Sequence, residues 1–286
     1  MKSVIVFCEG NHDVVFVTRS LGALTQAKWL TKPVGELPSP FGPVPDPQDP
    51  RKPKVKGLIA QRYSSRTLDD LSIRAAAHPP QPSFETLLHD ESKNILFTLV
   101  RCHGDGAFEA AMRLLDELRD LMMLPGMHSD VKDIAAAFLF DADSAGVTGR
   151  EYEFAERYQR MLDGTQSPKH AHWVQGKSFP VGLYVFHEAA SKNGTLEDLL
   201  APLVEAEWPE RWRDAGNYLD AHSDPSAPVR QKRAERYKAQ VGVTGQVQFP
   251  GDPMTAVLER RGLPAHYFEG QASAELVAFL TAAPWS

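Results

Sequence analysis

Three short apolar runs, each followed by a turn and a helix-like segment, constrain the fold of this chain more than any other feature. The runs are Ser3–Cys8, Asn94–Cys102 and Ile134–Phe140. Such runs, rich in β-branched and aromatic residues, are typical of strands that are covered on both faces. Apolar residues recur at helical spacing after each run, most clearly in Phe108–Leu124. Strands alternating with helices predict an α/β fold with a mainly parallel sheet flanked by helices.

A fourth strand and its helix complete the predicted N-terminal domain. The run Val181–Phe186 predicts another buried strand, and Leu196–Glu207 predicts a helix after an intervening loop. We therefore interpret residues 1–205 as one α/β domain.

Two parts of the chain depart from the alternating pattern. Prolines recur from about residue 31 to residue 82, which excludes a regular helix or central strand there. We interpret this segment as an exposed, partly extended insertion. Residues 206–286 have a weaker pattern and are predicted to form a mostly helical C-terminal extension, with helices at 230–239 and 253–260.

Composition limits the compartment and the partners. The net charge of −6 and the pI near 5.9 argue against binding of nucleic acid through the overall field, although a local basic groove stays possible. Cys8 and Cys102 lie in predicted buried strands, which argues against a disulfide framework and favours the cytoplasm. Because the chain has neither a signal-peptide pattern nor an apolar run of about 18 residues, we expect no membrane association.

Acidic residues follow two of the predicted strands. Glu9 comes directly after the first strand, Asp13 begins the next helix, and Asp141 and Asp143 follow the third strand. In an open α/β sheet, ligands bind at the carboxyl ends of the strands, so we expect these side chains to share one cleft. Carboxylates placed together raise one another's pKa, and a hard divalent cation relieves that repulsion. The pattern therefore predicts a Mg²⁺ or Mn²⁺ site.

Each acid also has a structural explanation when it is taken alone. Glu9 can be a helix N-terminal charge, and Asp13 can be a helix-capping residue. An Asp-x-Asp segment such as Asp141 to Asp143 is common in turns. It is the joint placement behind two separate buried strands that favours a site.

These residues also carry a resemblance to a known family. The chain resembles the Toprim domain of topoisomerases, primases, recombination proteins and the overcoming-lysogenization-defect nucleases, over roughly residues 1 to 205. The motifs that match, in chain order, are Glu9-Gly10-x-x-Asp13, Gly104-x-Gly106 and Asp141-Ala142-Asp143. A topoisomerase tyrosine domain, primase zinc-finger cysteines and a Gly-x-x-x-x-Gly-Lys ATPase loop are all missing from the sequence, so the resemblance is to a stand-alone Toprim protein.

The resemblance implies roles for individual residues. It implies that Glu9 assists proton transfer or metal binding and that Asp13, Asp141 and Asp143 belong to the metal site. The segment 191–198 resembles the nuclease branch, which implies a role in the transition state for Lys192 and a role at a second metal for Glu197 and Asp198. Thr195-x-x-Asp198 is equally typical of a helix capping box, and that alternative stays open.

The function that follows is divalent-metal-dependent hydrolysis of phosphodiesters in DNA or RNA. The alternative is a non-catalytic nucleic-acid-binding or regulatory module that partners a separate ATPase, and a third possibility is phosphoryl chemistry on a nucleotide. A basic run on a predicted helix could contact nucleic acid, although a solvated helix face is more common. Its candidate contacts are Arg230, Lys232, Arg233 and Arg236. The sequence leaves the oligomeric state open.

Overall fold

The fold is described from a computed structural model of the 286-residue chain. The structure describes residues 1–45, 53–55, 57–59, 83–104, 108–124, 129–222, 233–250, 257–258 and 262–285. Its strands are β1 (Lys2–Cys8), β2 (Ala27–Trp29), β3 (Val44–Pro45), β4 (Pro53–Val55), β5 (Ser83–Asp90), β6 (Ile95–Arg101), β7 (Asp133–Asp141), β8 (His172–Val174) and β9 (Val181–Phe186). Its helices are α1 (Asn11–Leu24), α2 (Phe108–Met122), α3 (Gly146–Arg157), α4 (Leu196–Glu207), α5 (Pro209–His222), α6 (Arg233–Gln248) and α7 (Gln271–Thr281).

Seven strands form one mixed sheet in the order β2-β5-β6-β1-β7-β9-β8. The four middle strands, β6, β1, β7 and β9, are parallel to one another. The outer strands β2, β5 and β8 pair antiparallel with their neighbours. The predicted α/β class is confirmed, and so is the parallel arrangement of the four strands that the apolar runs predicted. The antiparallel strands were not predicted; β5 reaches β6 through a turn at 91–94, and a connection that short can only join antiparallel strands.

The middle strands are buried on both faces, as their continuous apolar sequences predict. On one face, Phe7 and Phe138 stack with ring centroids 4.8 Å apart and belong to the core beneath α2 and α3. On the other face, Val6 and Leu139 belong to a core that also takes in α1, α4 and the C-terminal helices. The sheet therefore lies between two apolar layers. A polar site is expected at the ends of its middle strands and not on their faces.

The described part of the proline-rich insertion is not simply exposed, which corrects the prediction for residues 31–82. Phe41 and Ile59 are fully buried, and Leu37 and Leu58 are nearly so, all within the core of the α2 face. Proline prevents regular structure but does not prevent apolar neighbours from packing, and the prediction did not separate these two effects. Residues 46–52, 56 and 60–82 of the insertion lie outside the described residues.

The C-terminal part is helical, as predicted, and it packs directly against the sheet domain. Arg19 of α1 donates hydrogen bonds to the carbonyls of Leu258 and Leu263, and Ser20 Oγ bonds Ser273 Oγ at 2.9 Å. The prediction at 230–239 overlaps α6, α7 was not predicted as a separate helix, and most of 253–260 lies outside the described residues. None of the described helices combines the length and the apolar character needed to span a bilayer.

Both cysteines are free and buried. Burial raises the pKa of Cys8 well above its usual value and raises the pKa of Cys102 to about 12. Nearby carboxylates, including Glu9 and Asp13, push both pKa values in the same direction. These thiols are therefore packing groups of the strand ends and not nucleophiles.

Candidate acidic site

The ends of β1 and β7 bring Glu9 and Asp141 together. The two strands are parallel neighbours, so their carboxyl ends lie at the same edge of the sheet. The backbone N–H of Asp141 donates to Glu9 Oε2 at 3.2 Å. The sequence places these residues 132 positions apart, and the sheet register alone makes them adjacent.

Asp13 lies in the first turn of α1 and faces the same edge. Its Oδ2 accepts the N–H of Gly10 at 2.8 Å, which caps the helix, and the residue is only 7% exposed. Burial, together with the charge of Glu197, raises the pKa of Asp13 to about 6, against the lowering effect of the Gly10 hydrogen bond. Asp13 therefore both caps α1 and lies among other carboxylates.

Asp141 is the central carboxylate of the group. Its Oδ1 accepts the N–H of Leu196 at the start of α4, at 2.8 Å. Burial raises the pKa of Asp141 well above its ordinary value, and the negative charges of Asp13, Glu197 and Glu9 raise it further. Three carboxylates, from the end of β1, from α1 and from α4, thus raise the pKa of Asp141 at the sheet edge.

Glu197 differs from the neighbouring acids because its carboxylate contacts a histidine side chain. His12 Nδ1 lies 3.0 Å from Glu197 Oε1, and both side chains are buried. Burial alone would raise the pKa of Glu197, but the hydrogen bond and charge of His12 outweigh it and hold that pKa below its usual value. Lys238 of α6 contributes from 3.9 Å, at the solvent side.

Asp143 lies in the turn after β7 and is turned toward a cation. Arg150 Nη2 lies 2.6 Å from Asp143 Oδ2, and Arg150 Nε donates to the carbonyl of Asp141 at 2.8 Å. The backbone of Asp143 has a positive φ of 48° and exchanges two hydrogen bonds with Gly194. The two aspartates of the Asp-x-Asp motif therefore have different surroundings, although both follow the same strand.

The segment after β9 contains the other predicted site residues. Lys192 has a φ of 59°, and its Nζ lies 3.2 Å from His187 Nε2. Asp198 Oδ2 accepts the N–H of Thr195 at 2.9 Å, so Asp198 forms the capping box that the sequence had left open. The Gly194 bridge to Asp143 fixes this segment against the turn after β7.

Most of the predicted nucleic-acid contacts cannot be placed. Arg230 and Lys232 lie outside the described residues, and for Arg233, which begins α6, only the backbone is described. Arg236 pairs with Asp220 at 2.8 Å and donates to the carbonyl of Gly216 at 3.1 Å, so it ties α6 to α5. In the Gly104-x-Gly106 motif, Gly104 donates its N–H to the carbonyl of Glu9, and 105–107 are outside the described part.

Chemically, the donor set suits a hard cation. Carboxylate oxygens are the ligands of Mg²⁺ and Mn²⁺, and burial removes the water that would otherwise screen their repulsion. Across the residues that the structure describes, no group of three or more His, Cys, Asp or Glu side chains is arranged so that it could hold a metal ion. Binding by Glu9, Asp13, Asp141 and Glu197 therefore requires some of these side chains to rotate.

Two polar residues of this edge were not predicted from the sequence. His12 stands inside the Glu9 to Asp13 segment, and Arg150 follows Asp143 by seven positions, but neither fits a motif. Glu197 and Asp143 were predicted site residues, but their pairing with His12 and Arg150 is known only from the structure. A signal was present for His12 alone, as a polar residue beside a predicted acid.

No protein-family model and no curated protein matches the chain. The chain is similar in structure to the hypothetical protein PH0156 from Pyrococcus horikoshii OT3, which is known from a crystal structure. The two share 14% sequence identity with a TM-score of 0.50, and the match covers 99% of this chain and 95% of that one. Since the identity is this low, the likeness concerns the fold alone.

Proposed function

We propose that this protein is a Toprim-like, divalent-metal-dependent phosphodiesterase that hydrolyses nucleic acid, with Mg²⁺ or Mn²⁺ as its cofactor. The observation that carries the proposal is the grouping of Glu9, Asp13 and Asp141 behind two adjacent parallel strands, with the pKa of both aspartates raised. Such a grouping destabilises the fold unless a cation or protons neutralise it. Perturbed carboxylates at the carboxyl edge of an α/β sheet are typical of functional sites.

The residues divide by position into those that hold metal and those that handle the substrate. Glu9, Asp13, Asp141 and Glu197 are the proposed holders, and Asp143 joins them if Arg150 releases it. When bound, divalent ions neutralise the phosphate and orient the attacking and leaving oxygens. Arg150 then keeps its hydrogen bond to the Asp141 carbonyl and so holds the end of β7 in place.

Lys192 is the proposed cation for the reacting phosphate. Its ammonium group is on the exposed side of the edge, next to His187, and its segment is fixed to Asp143 through Gly194. A lysine in this position neutralises charge that develops on a phosphate oxygen. Glu9 is the proposed acceptor of the proton from the attacking water, since it is the acid placed nearest the end of β1.

A second function, a non-catalytic nucleic-acid-binding or regulatory module that partners a separate ATPase, is favoured by a different observation. Asp143 and Asp198 are already engaged, by Arg150 and by the N-terminus of α4 respectively. Under this alternative the acidic edge binds a cation for stability and performs no hydrolysis. It predicts salt-sensitive binding of nucleic acid without turnover.

The deciding experiment is an assay of the purified full chain on plasmid DNA, single-stranded DNA and RNA. Each substrate is incubated with Mg²⁺, Mn²⁺ or a chelator. The test variant is the double substitution Asp141→Ala with Asp143→Ala. The control is Asp116→Ala with Asp120→Ala, which removes two exposed acids that pair with Arg119 on α2.

Metal-dependent cleavage that disappears in the test variant and persists in the control supports the nuclease. Equal cleavage by both variants contradicts it. Retarded migration of nucleic acid without any cleavage, lost as salt rises, supports the regulatory module instead.

A further inference from the structure

A cavity lies at the opposite end of the sheet from the acidic site. It has a volume of about 170 Å³ and lies between α2, the segment after α3 and the start of β9. Val181, the first residue of β9, forms part of its wall, whereas the acidic site is at the other end of the parallel strands. Strand β9 runs from Val181 at the cavity to Phe186, which pairs with Asp141, and these five steps correspond to roughly 17 Å.

Half of the residues that line this cavity are apolar. Met112 and Leu115 of α2 line one side, and Phe179 and Val181 line the other. Met112, Leu115 and Val181 belong to the buried core, so the floor of the cavity is the core itself. A ligand that enters it removes apolar surface from water on several sides, which favours binding of an apolar group.

The rim of the cavity carries an excess of positive charge. Three of its side chains are cationic, Arg119, Arg160 and Lys177, and only one, Asp116, is acidic. Arg119 is already paired with Asp116 and Asp120, each at 2.9 Å. The positive charges of Arg160 and Lys177 are therefore the ones that a bound anion could neutralise.

Arg160 and Lys177 have no carboxylate partner among the described residues. Arg160 Nη2 donates to the thioether of Met112 at 3.7 Å, and a thioether is a weak acceptor. Lys177 is fixed through its backbone, whose N–H donates to the carbonyl of Met161 at 2.8 Å. A guanidinium forms a stronger hydrogen bond with a carboxylate or phosphate than with a thioether, because both partners are then charged.

We propose that this cavity binds a small organic anion that combines one ring-sized apolar group with a carboxylate or phosphate. The ring occupies the space between Met112, Leu115 and Phe179, and the anionic group bonds Arg160 and Lys177. The size follows from the volume, because a cavity of about 150 Å³ is enough for benzene. The inference is independent of the proposed nuclease function, since no residue is shared with the acidic site.

The test is a calorimetric titration of the full chain in the presence of a chelator, so that the acidic site holds no metal. Benzoate and phenyl phosphate are the anionic probes, and benzyl alcohol is the neutral probe of the same ring size. We expect one of the anions to bind with a dissociation constant of about 1 mM or tighter and benzyl alcohol to bind at least about tenfold more weakly. The stronger of the two anions identifies the preferred group.

The variant Arg160→Gln with Lys177→Gln should weaken binding of the anion at least about tenfold. The control, Lys28→Gln with Arg213→Gln, removes the same charge from exposed positions elsewhere and should bind as the unchanged protein does. Equal binding of neutral and anionic probes, equal affinity in the two variants, or no binding of any probe would each overturn the proposal. The comparison of probes on the unchanged protein needs no variant to fold.

Discussion

Two pairs of aspartates at the same sheet edge have opposite surroundings. The inner pair, Asp13 and Asp141, receives backbone N–H groups and has a raised pKa; Asp13 is buried and Asp141 is partly buried. The outer pair, Asp143 and Asp198, is balanced by Arg150 and by the capping box of α4. Asp13 also caps its helix, as Asp198 does, so the inner pair is set apart by the raised pKa that burial and neighbouring carboxylates cause.

The difference teaches which acids the fold itself requires. A carboxylate that caps a helix or pairs with arginine stabilises the structure through that contact. A carboxylate whose pKa is raised by burial and by neighbouring carboxylates destabilises the structure when it is charged, and proteins keep such arrangements mainly at functional sites. The inner pair is therefore where the proposed activity can be tested most sharply.

The largest expected effect is on activity. Asp141→Asn keeps an oxygen for the Leu196 N–H but removes the charge, and we expect metal-dependent cleavage to fall about 1000-fold. Asp198→Asn, the matched change in the outer pair, keeps the capping oxygen and should alter cleavage less than about threefold. Initial rates on one substrate at saturating Mg²⁺ measure both. A comparable loss in Asp198→Asn would show that the two pairs act alike.

The next effect is on stability as a function of pH. The pKa of Asp13 is raised from 3.8 to about 6 in the folded state, so that state binds the proton more tightly than the unfolded chain does. The stability this confers is present below pH 3.8 and is lost as pH rises to about 6. Above that pH, Asp13→Asn should be more stable than the unchanged protein by about 3 kcal/mol.

Urea unfolding at pH 4 and pH 7.5, in a chelator, measures this difference. The two proteins should unfold at similar urea concentrations at pH 4 and separate at pH 7.5. Added Mg²⁺ should narrow the separation, since it stabilises only the charged site. A separation that is the same at both pH values would contradict the assigned cause.

The outer pair should show a smaller effect that is purely structural. Asp198→Ala removes the side chain that accepts the Thr195 N–H, and we expect a loss of about 1 kcal/mol in the free energy of unfolding. Glu205→Ala, an exposed change later in α4, is the control and should lie within about 0.5 kcal/mol of the unchanged protein. Denaturation midpoints measure both, and a loss no larger than that of the control would contradict the capping role.

The smallest effect is expected at Lys238. Its side chain is 61% exposed and 3.9 Å from Glu197, so its charge is largely screened by water. Lys238→Gln should change stability by less than about 0.5 kcal/mol at neutral pH. A change above about 1 kcal/mol in urea unfolding would mean that α6 balances the charge of the inner pair.

The sequence predicted those elements whose patterns are local. Val181–Phe186 and Leu196–Glu207 have the bounds that the apolar runs indicated. By contrast, β2 and β8 are three residues each, too short for any pattern, and β5 mixes His and Asp into its strand. These strands are held by their neighbours in the sheet, which a single sequence does not reveal.

In the candidate site, too, the features that follow from local sequence were predicted and those that depend on tertiary packing were not. The rule that parallel strands end at one edge was enough to bring Glu9 beside Asp141. The contact of His12 with Glu197 joins residues 185 positions apart, and it depends on how α1 and α4 pack on the sheet. Asp143, which pairs with Arg150, has a backbone with positive φ. The residue types of that turn did not lead us to predict this conformation.

The bond between Ser20 and Ser273 has a consequence for how this protein is made. The two hydroxyls are separated by 253 residues, and around them the first helix of the chain lies against the last. The outer face of α1 therefore stays uncovered until the residues around Ser273 have been synthesised. During that interval the nascent chain presents bare apolar surface, and its dependence on chaperones should exceed that of a protein whose sheet closes early.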